Sequence, residues 1–322
     1  MNKLLVILGP TGVGKTELSL RLAQHYGCDI VNADSRQIYH AIPIGTAAPT
    51  LEDRMRVKHH FVGIKDLHES YNAGQYERDC VELLNKISLQ HTRPQTPFAI
   101  LTGGSMMYID AVCQGLDDIP TIPDSIRNEI NAEYDEKGLM WLQNEVERID
   151  PLYWQIVDQN NPQRLKHALE IYRLTQCPYS SFRKKSFDNS STIRPWDIVY
   201  IGLHRDRESL YERINLRVDV MVKDGLLEEA NNAFHAVLRD SEWKDQTLPN
   251  SLNTVGYKEL FAYFVGNCTL EEAIEKIKQN SRHYAKRQMT WFNRNKNINW
   301  INASDSYEEQ MDAIHTYLVG TR

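Results

Sequence analysis

The sequence predicts an α/β fold: a parallel sheet bearing a phosphate-binding loop, interrupted by a helical insertion and followed by a largely helical C-terminal third. Three observations carry this reading. Residues 9–16, Gly-Pro-Thr-Gly-Val-Gly-Lys-Thr, satisfy G-x-x-x-x-G-K-[ST] between an apolar run and an amphipathic one. Short apolar runs at residues 4–8, 29–31, 98–101 and 198–201 have the length and composition of buried parallel strands. From Pro120 to about Asn189 the pattern turns helical before a strand pattern resumes at Ile198.

In chain order, residues 4–8 (Leu-Leu-Val-Ile-Leu) form the first strand and lead into the glycine loop. Residues 17–26 carry Leu18, Leu22 and Ala23 at the spacing of one helix face, and residues 29–31 return to strand. Strand, loop, helix and strand make a βαβ unit, hence an α/β core over residues 1–119. The insertion, residues 120–189, is bounded by Pro120, Pro123 and the polar run Asp188-Asn189-Ser190-Ser191. Residues 190–322 return to the core with the last expected strand. A long amphipathic pattern follows over 208–238 (Leu210, Ile214, Val218, Met221), interrupted near Gly225, with further helices to the end.

At 322 residues, with 41% hydrophobic and 25% charged content, the chain can bury a large core plus an insertion. Its five cysteines are dispersed and include no Cys-x-x-Cys pair, so they read as reduced thiols of a cytoplasmic protein. The apolar run at 4–8 is too short for a signal-peptide core, and no segment approaches the roughly 18 apolar residues of a membrane helix. A soluble chain with no membrane partner is expected. The net charge of −6 argues mildly against a nucleic-acid partner, but the placement of cations matters more than their sum.

The loop carries the first chemistry. Its glycines let successive N–H groups point at phosphate oxygens, and the following helix N-terminus adds a favourable dipole. Lys15 neutralises terminal phosphates, and the Thr16 hydroxyl is placed to ligand Mg2+. The motif implies a polyphosphate rather than a nucleotide: no later strand ends in a clear metal-binding Asp, and no Asn-Lys-x-Asp guanine reader is present. Asp34 closes the second strand, and the third ends in Thr102-Gly103-Gly104-Ser105. Loop, Asp34 and Thr102 should therefore meet at the carboxyl edge of the sheet, where open α/β sheets bind ligands.

Further motifs follow in order: Asp34-Ser35-Arg36-Gln37 with Tyr39, Gly45-Thr46-Ala47 with Pro49, His59-His60, and Gly103-Gly104-Ser105 with Tyr108. Next come Pro162-Gln163-Arg164 with Ala168-Leu169-Glu170, Arg213 with Arg217 and Met221, and Val255-Gly256-Tyr257-Lys258-Glu259. The series ends in Ala285-Lys286-Arg287-Gln288 running into Thr290-Trp291-Phe292. Over nearly its whole length the chain thereby resembles the tRNA dimethylallyltransferases, also called tRNA isopentenyltransferases. It departs from that pattern at Ser105, where the family usually has Thr, and at Ala48, His167 and Asn293, where it has Lys, Arg and Arg. The first keeps a hydroxyl; the others each remove a cation.

The resemblance implies a P-loop nucleoside-triphosphate-hydrolase-like core acting as a monomeric, Mg2+-dependent prenyltransferase. The dimethylallyl group of dimethylallyl diphosphate would pass to N6 of adenosine 37 in the anticodon loop of tRNAs reading codons that begin with U. Asp34 is then the base that takes the N6 proton; its other reading is a turn or N-cap aspartate. Gly9, Pro10, Thr11, Gly12, Val13, Gly14, Lys15, Thr16 and Arg217 would hold the diphosphate, although Arg217 could equally sit on a solvated helix face. Thr11 and Ser105 could reach diphosphate or adenine, or satisfy local backbone groups. Ser105 and Arg217 join Asp34 as catalytic candidates.

Asp34, Ser35, Arg36, Gln37 and Ser105 would lie nearest the target base. Further tRNA contacts are implied at Arg127, at Gln163, Arg164, Leu165, Lys166 and His167, and at Asn253, Thr254, Val255, Gly256, Tyr257 and Lys258. Lys286, Arg287, Gln288 and Trp291 complete the set. This last group also has an argument of its own. Residues 282–296 hold five Lys or Arg and no Asp or Glu, with Tyr284, Trp291 and Phe292 interleaved, as an RNA contact requires. An ordinary basic amphipathic helix with core aromatics would look the same. Two other activities fit the loop, a small-molecule kinase and prenyl transfer to free AMP, but neither needs the insertion or the basic-aromatic segment. A non-catalytic nucleotide switch would leave Asp34 without a role.

Overall fold

The computed structural model describes residues 2–93, 95–117, 119–183, 194–237 and 248–320. Six strands form one sheet: β1 (Lys3–Leu8), β2 (Asp29–Asn32), β3 (His59–His60), β4 (Pro97–Thr102), β5 (Asp197–His204) and β6 (Ile298–Asn302). Their order is β3-β2-β4-β1-β5-β6, and every neighbouring pair is parallel. In the central register Val6 stands opposite Leu101 on one side and Tyr200 on the other. All loops leaving the carboxyl ends of the strands therefore open on one edge.

The four expected strands are present, three of them one or two residues longer than their apolar runs and β5, at eight residues, twice as long. β3 and β6 correct the sequence reading. β3 is two histidines long, too short for any periodicity, and β6 lies within the segment expected to be helical. Ile298-Asn-Trp-Ile-Asn forms the sheet edge, where pairing with β5, rather than an apolar run, defines the strand. The pattern over 208–238 resolves into the helices Arg207–Lys223 and Leu226–Val237, parted at Gly225 with φ 105°, a value that favours glycine. Leu238 lies outside the described residues.

The chain divides into two compact units, Met1–Cys113 with Arg194–Arg322, and Gln114–Ile193. The first division falls a few residues before Pro120; the expected second boundary at Asn189 lies outside the described residues. In the first unit the alternation of β1 sorts its side chains onto two faces. Leu4, Val6 and Leu8 join one buried cluster with Val31, Leu101 and Phe261, while Leu5 and Ile7 join another with Leu22, Ile100 and Ile314. Each such side chain contributes about 1.5–3 kcal/mol by leaving water, and both faces are covered, as a parallel sheet requires.

The second unit is helical. Asp124–Ile149 breaks at Gly138 (φ 74°) and folds against Pro162–Thr175, burying Ile130, Leu142, Val146, Leu165 and Leu169 together. Asn161 caps the second of these helices by accepting from the Arg164 amide at 3.3 Å. Among the described residues of the chain, no helix is long and apolar enough to cross a membrane.

Candidate active site

The site begins where β1 hands over to the helix Lys15–Tyr26. Gly12 takes φ 80°, and a Cβ there would come within 2.9 Å of the Ile214 side chain, so backbone alone fits. Gly14 (φ 118°) precedes the helix without a side-chain cap, which leaves the first-turn amides available to an anion. The Lys15 Nζ donates to the carbonyls of Gly9 (2.9 Å) and Pro10 (3.0 Å). Burial pushes the Lys15 ammonium down to about 8; the nearby Arg217 adds to this and the charge of Asp34 opposes it.

Helix Arg207–Lys223 leans on the loop with two guanidinium groups one turn apart. Arg217 Nη1 donates to Thr11 Oγ1 at 3.2 Å, and Arg213 Nε donates to the Gly12 carbonyl at 3.0 Å. Burial works against the charge of Arg217 and Asp34 supports it. From the other side comes Gln288, fully buried on helix Leu270–Phe292. Its Oε1 accepts from the Thr11 amide (2.8 Å), and its Nε2 donates to the Gly104 carbonyl (2.8 Å). One amide side chain thus ties the loop after β1 to the loop after β4.

The segment after β2 is fixed as tightly. Asp34 Oδ1 accepts from the Arg36 amide at 2.9 Å, an Asx turn, while Oδ2 has no hydrogen-bond partner among the described residues. A Cβ at Gly104 would stand 3.2 Å from that Oδ2, and one at Gly103 would strike the Ala33 carbonyl. These close approaches explain the paired glycines after β4. The Ser105 hydroxyl accepts from the Ser35 amide (2.8 Å) and donates to Ser35 Oγ (3.0 Å). Gln37 Nε2 donates to the carbonyls of Thr46 and Ala47, both at 3.0 Å. Tyr284 donates to the Gly104 carbonyl at 3.1 Å, and burial, reinforced by Asp34, pushes its phenol up.

A cavity of about 750 Å³ joins these parts, lined by Thr11, Gly12, Gly14, Lys15, Thr16, residues 34–37, Arg213 and Arg217 among others. Asn253, Thr254, Val255, Gly256, Lys258, Arg287 and Gln288 line it too. Gly9 and Pro10 serve through their carbonyls, and Val13 is buried in the core. Lys286 is exposed, and Arg287 stacks its guanidinium over Tyr284 at 5.6 Å. In the insertion, Arg127, Gln163 and Arg164 are exposed and His167 is half-buried with Nδ1 at 3.5 Å from Glu170.

Several sequence assignments change here. Ser105 is buried and is not among the residues lining the cavity; its hydroxyl holds the Ser35 backbone beside Asp34. Gln288 and Tyr257 are buried and engaged within the protein, Tyr257 donating to Glu229 Oε1 at 2.5 Å. Leu165 packs in the insertion core, and Lys166 lies 4.0 Å from the Tyr134 ring centroid with Nζ donating to Asn131 at 2.9 Å. Trp291 donates its indole N–H to Asp110 at 2.7 Å. Helix periodicity is the reason: a run of consecutive residues cannot share one face. Conversely, Arg213 and Tyr284 line the cavity, although the sequence offered Arg213 only as part of a motif and Tyr284 only as an aromatic of the basic segment, neither with a place in the site. Each stands one turn before a residue that had one, Arg217 and Gln288, and that i, i+4 spacing was the available signal.

A phosphate loop at the carboxyl edge of a parallel sheet, sharing a cavity with Asp34, Arg213 and Arg217, defines a P-loop-type α/β group-transfer enzyme. The family model for IPP transferases matches residues 37–295. The chain is 48% identical over 321 residues to tRNA dimethylallyltransferase 2 of Parabacteroides distasonis, covering 99% of this chain and 98% of the relative. Its fold is similar to the full-length tRNA isopentenylpyrophosphate transferase of Bacillus halodurans (TM-score 0.69, 35% identity, 99% and 96% of the two chains). It is also similar to a eukaryotic dimethylallyltransferase described as acting on tRNA (TM-score 0.79, 26% identity, 97% and 76%). The chain belongs to the IPP transferase family, the tRNA dimethylallyltransferases.

Proposed function

We propose that this chain transfers the dimethylallyl group of dimethylallyl diphosphate to N6 of adenosine 37 in the anticodon loop of tRNAs reading codons that begin with U. The carrying observation is Asp34. One carboxylate oxygen is fixed by the Asx turn and the other lacks a partner among the described residues, in the same cavity as Lys15 and Arg217. An aromatic amine is a weak nucleophile because its lone pair is delocalised, so it needs a base for its proton and cations for the leaving group. N6 attacks C1 of the donor, the C1–O bond breaks, the N6 proton passes to Asp34, and diphosphate departs held by the loop amides, Lys15 and Arg217.

Mg2+ is part of this proposal. It usually keeps several waters and takes one or two protein oxygens together with phosphate oxygens. The Thr16 hydroxyl, on the first helical turn and lining the cavity, fits that donor set. Bound there, the ion would neutralise charge developing on the diphosphate.

Arg36, Lys258, Lys286 and Arg287, all on the first unit, supply cations for tRNA phosphates, and Arg127 and Arg164 supply them on the insertion. A tRNA substrate implies a cytoplasmic enzyme, and a monomer is part of the same proposal. The test is to incubate the protein with unmodified tRNA, labelled dimethylallyl diphosphate and Mg2+, with AMP and ATP as competitors. Label in the anticodon loop at residue 37 is the expected result. Label in AMP, or phosphoryl transfer from ATP, would replace this reading with one of its rivals.

A further inference from the structure

The cavity changes character along two of its walls. Helices Arg207–Lys223 and Leu270–Phe292 lie side by side in opposite directions: Arg282 Nη1 donates to Asn215 at 2.6 Å, and Lys278 meets Asp219 at 2.9 Å. Four residues back on one helix thus correspond to four forward on the other. At one end of this pair Arg213, Arg217 and Gln288 touch the phosphate loop. Following both helices away from the loop brings Met221 on the first, one turn or about 6 Å beyond Arg217, and Ile277 on the second.

Both line the cavity, together with Val218, Leu226 and Val255. Val218, Leu226 and Ile277 are buried members of the large apolar cluster on that face of the sheet, and Met221 and Val255 pack against it. Apolar lining therefore begins one helical turn from the guanidinium that touches the loop, with Asn253, Thr254 and Lys258 on the wall of the same cavity. Cationic at one end and apolar at the other, this arrangement matches an allylic diphosphate, whose branched hydrocarbon tail starts one bond from its charged head.

We propose that Met221 and Ile277 close the subsite for the donor's five-carbon tail and set the length of prenyl chain accepted; this rests on the donor assignment made above. A second isoprene unit would have to push into a wall already packed against the core, where added volume forces side chains out of their rotamers. Met221 is the partly exposed member of the pair and unbranched, so it is the side chain that shapes this wall with least support from elsewhere.

The test measures dissociation constants of the sulfur-bridged analogues of dimethylallyl and geranyl diphosphate, and of inorganic pyrophosphate, for the full chain and for Met221→Ala and Met221→Phe. Thermal unfolding checks that each variant is folded, and Ile277→Val replaces any that is not. Met221→Ala should shift the geranyl-to-dimethylallyl affinity ratio toward geranyl by about tenfold or more. Met221→Phe should weaken the dimethylallyl analogue by a similar factor, with pyrophosphate binding unchanged in both. An unchanged ratio in folded variants, or a parallel loss of pyrophosphate affinity, overturns the proposal. An enzyme that binds the analogues but transfers nothing to tRNA would instead refute the proposed function while leaving this ratio readable.

Discussion

Donor binding should depend on pH through Lys15. Its ammonium is held at about 8, chiefly by burial and next by Arg217, against the opposing charge of Asp34. A bound diphosphate interacts with the charged form, so binding above that value must take up a proton. The protonated fraction of a group titrating at 8 falls about tenfold between pH 7 and pH 9, and donor affinity should fall with it. The second ionisation of a phosphate ester lies near 6 and is about nine-tenths complete by pH 7, so it raises affinity at the low end and does not produce the decline above pH 7. Titrating a sulfur-bridged donor analogue against wild type and Lys15→Met at half-unit steps from about pH 6.5 to 9.5 reads the effect directly. Wild type should show the decline, and the variant should bind weakly and without it. A flat wild-type profile, or the same decline in Lys15→Met, would show that Lys15 does not carry the diphosphate. The sign for folding is opposite: because the folded pKa lies below the ordinary lysine value of 10.5, the unfolded chain binds the extra proton between about 8 and 10.5. The penalty for burying this ammonium is therefore present below 8 and is relieved as pH rises through that window.

Asp34→Asn keeps the Asx turn but cannot accept a proton, so single-turnover transfer should fall by about 10²- to 10⁴-fold while donor affinity stays within a few-fold; a near-normal rate would leave Asp34 as a turn residue only. Replacing Lys286 and Arg287 together by Ala should flatten the log–log salt dependence of tRNA binding by about 0.7 for each phosphate no longer neutralised. An unaltered slope would remove both from the RNA interface. Gln288→Leu strands the Thr11 amide, while the Gly104 carbonyl keeps the Tyr284 hydroxyl, so urea unfolding should register a destabilisation of about 1–3 kcal/mol for the one group left unpaired. Donor affinity should drop as well, and unchanged stability would mean that the Thr11 amide finds another partner.

By itself the sequence determined whatever is contiguous or locally periodic. The phosphate loop is eight consecutive residues whose glycines, lysine and threonine act through local backbone geometry, so its place between strand and helix was legible. So was Asp34, because parallel strands put all their carboxyl ends on one edge. The apolar runs of β1, β2, β4 and β5 were legible because central strands are buried on both faces. Tertiary structure alone decided the rest. Gln288 meets Thr11 across 277 positions of chain, and Tyr257 meets Glu229 only because two helices pack together. β6 is a strand because β5 offers it hydrogen bonds, not because its own residues insist on it. The same holds for the chemical character of single side chains: Lys166 and Arg164 stand two positions apart in one helix, yet one is buried over a tyrosine ring and the other exposed. A sequence motif names residue types, whereas burial and partners depend on which face the packed neighbour covers, and that neighbour comes from distant chain.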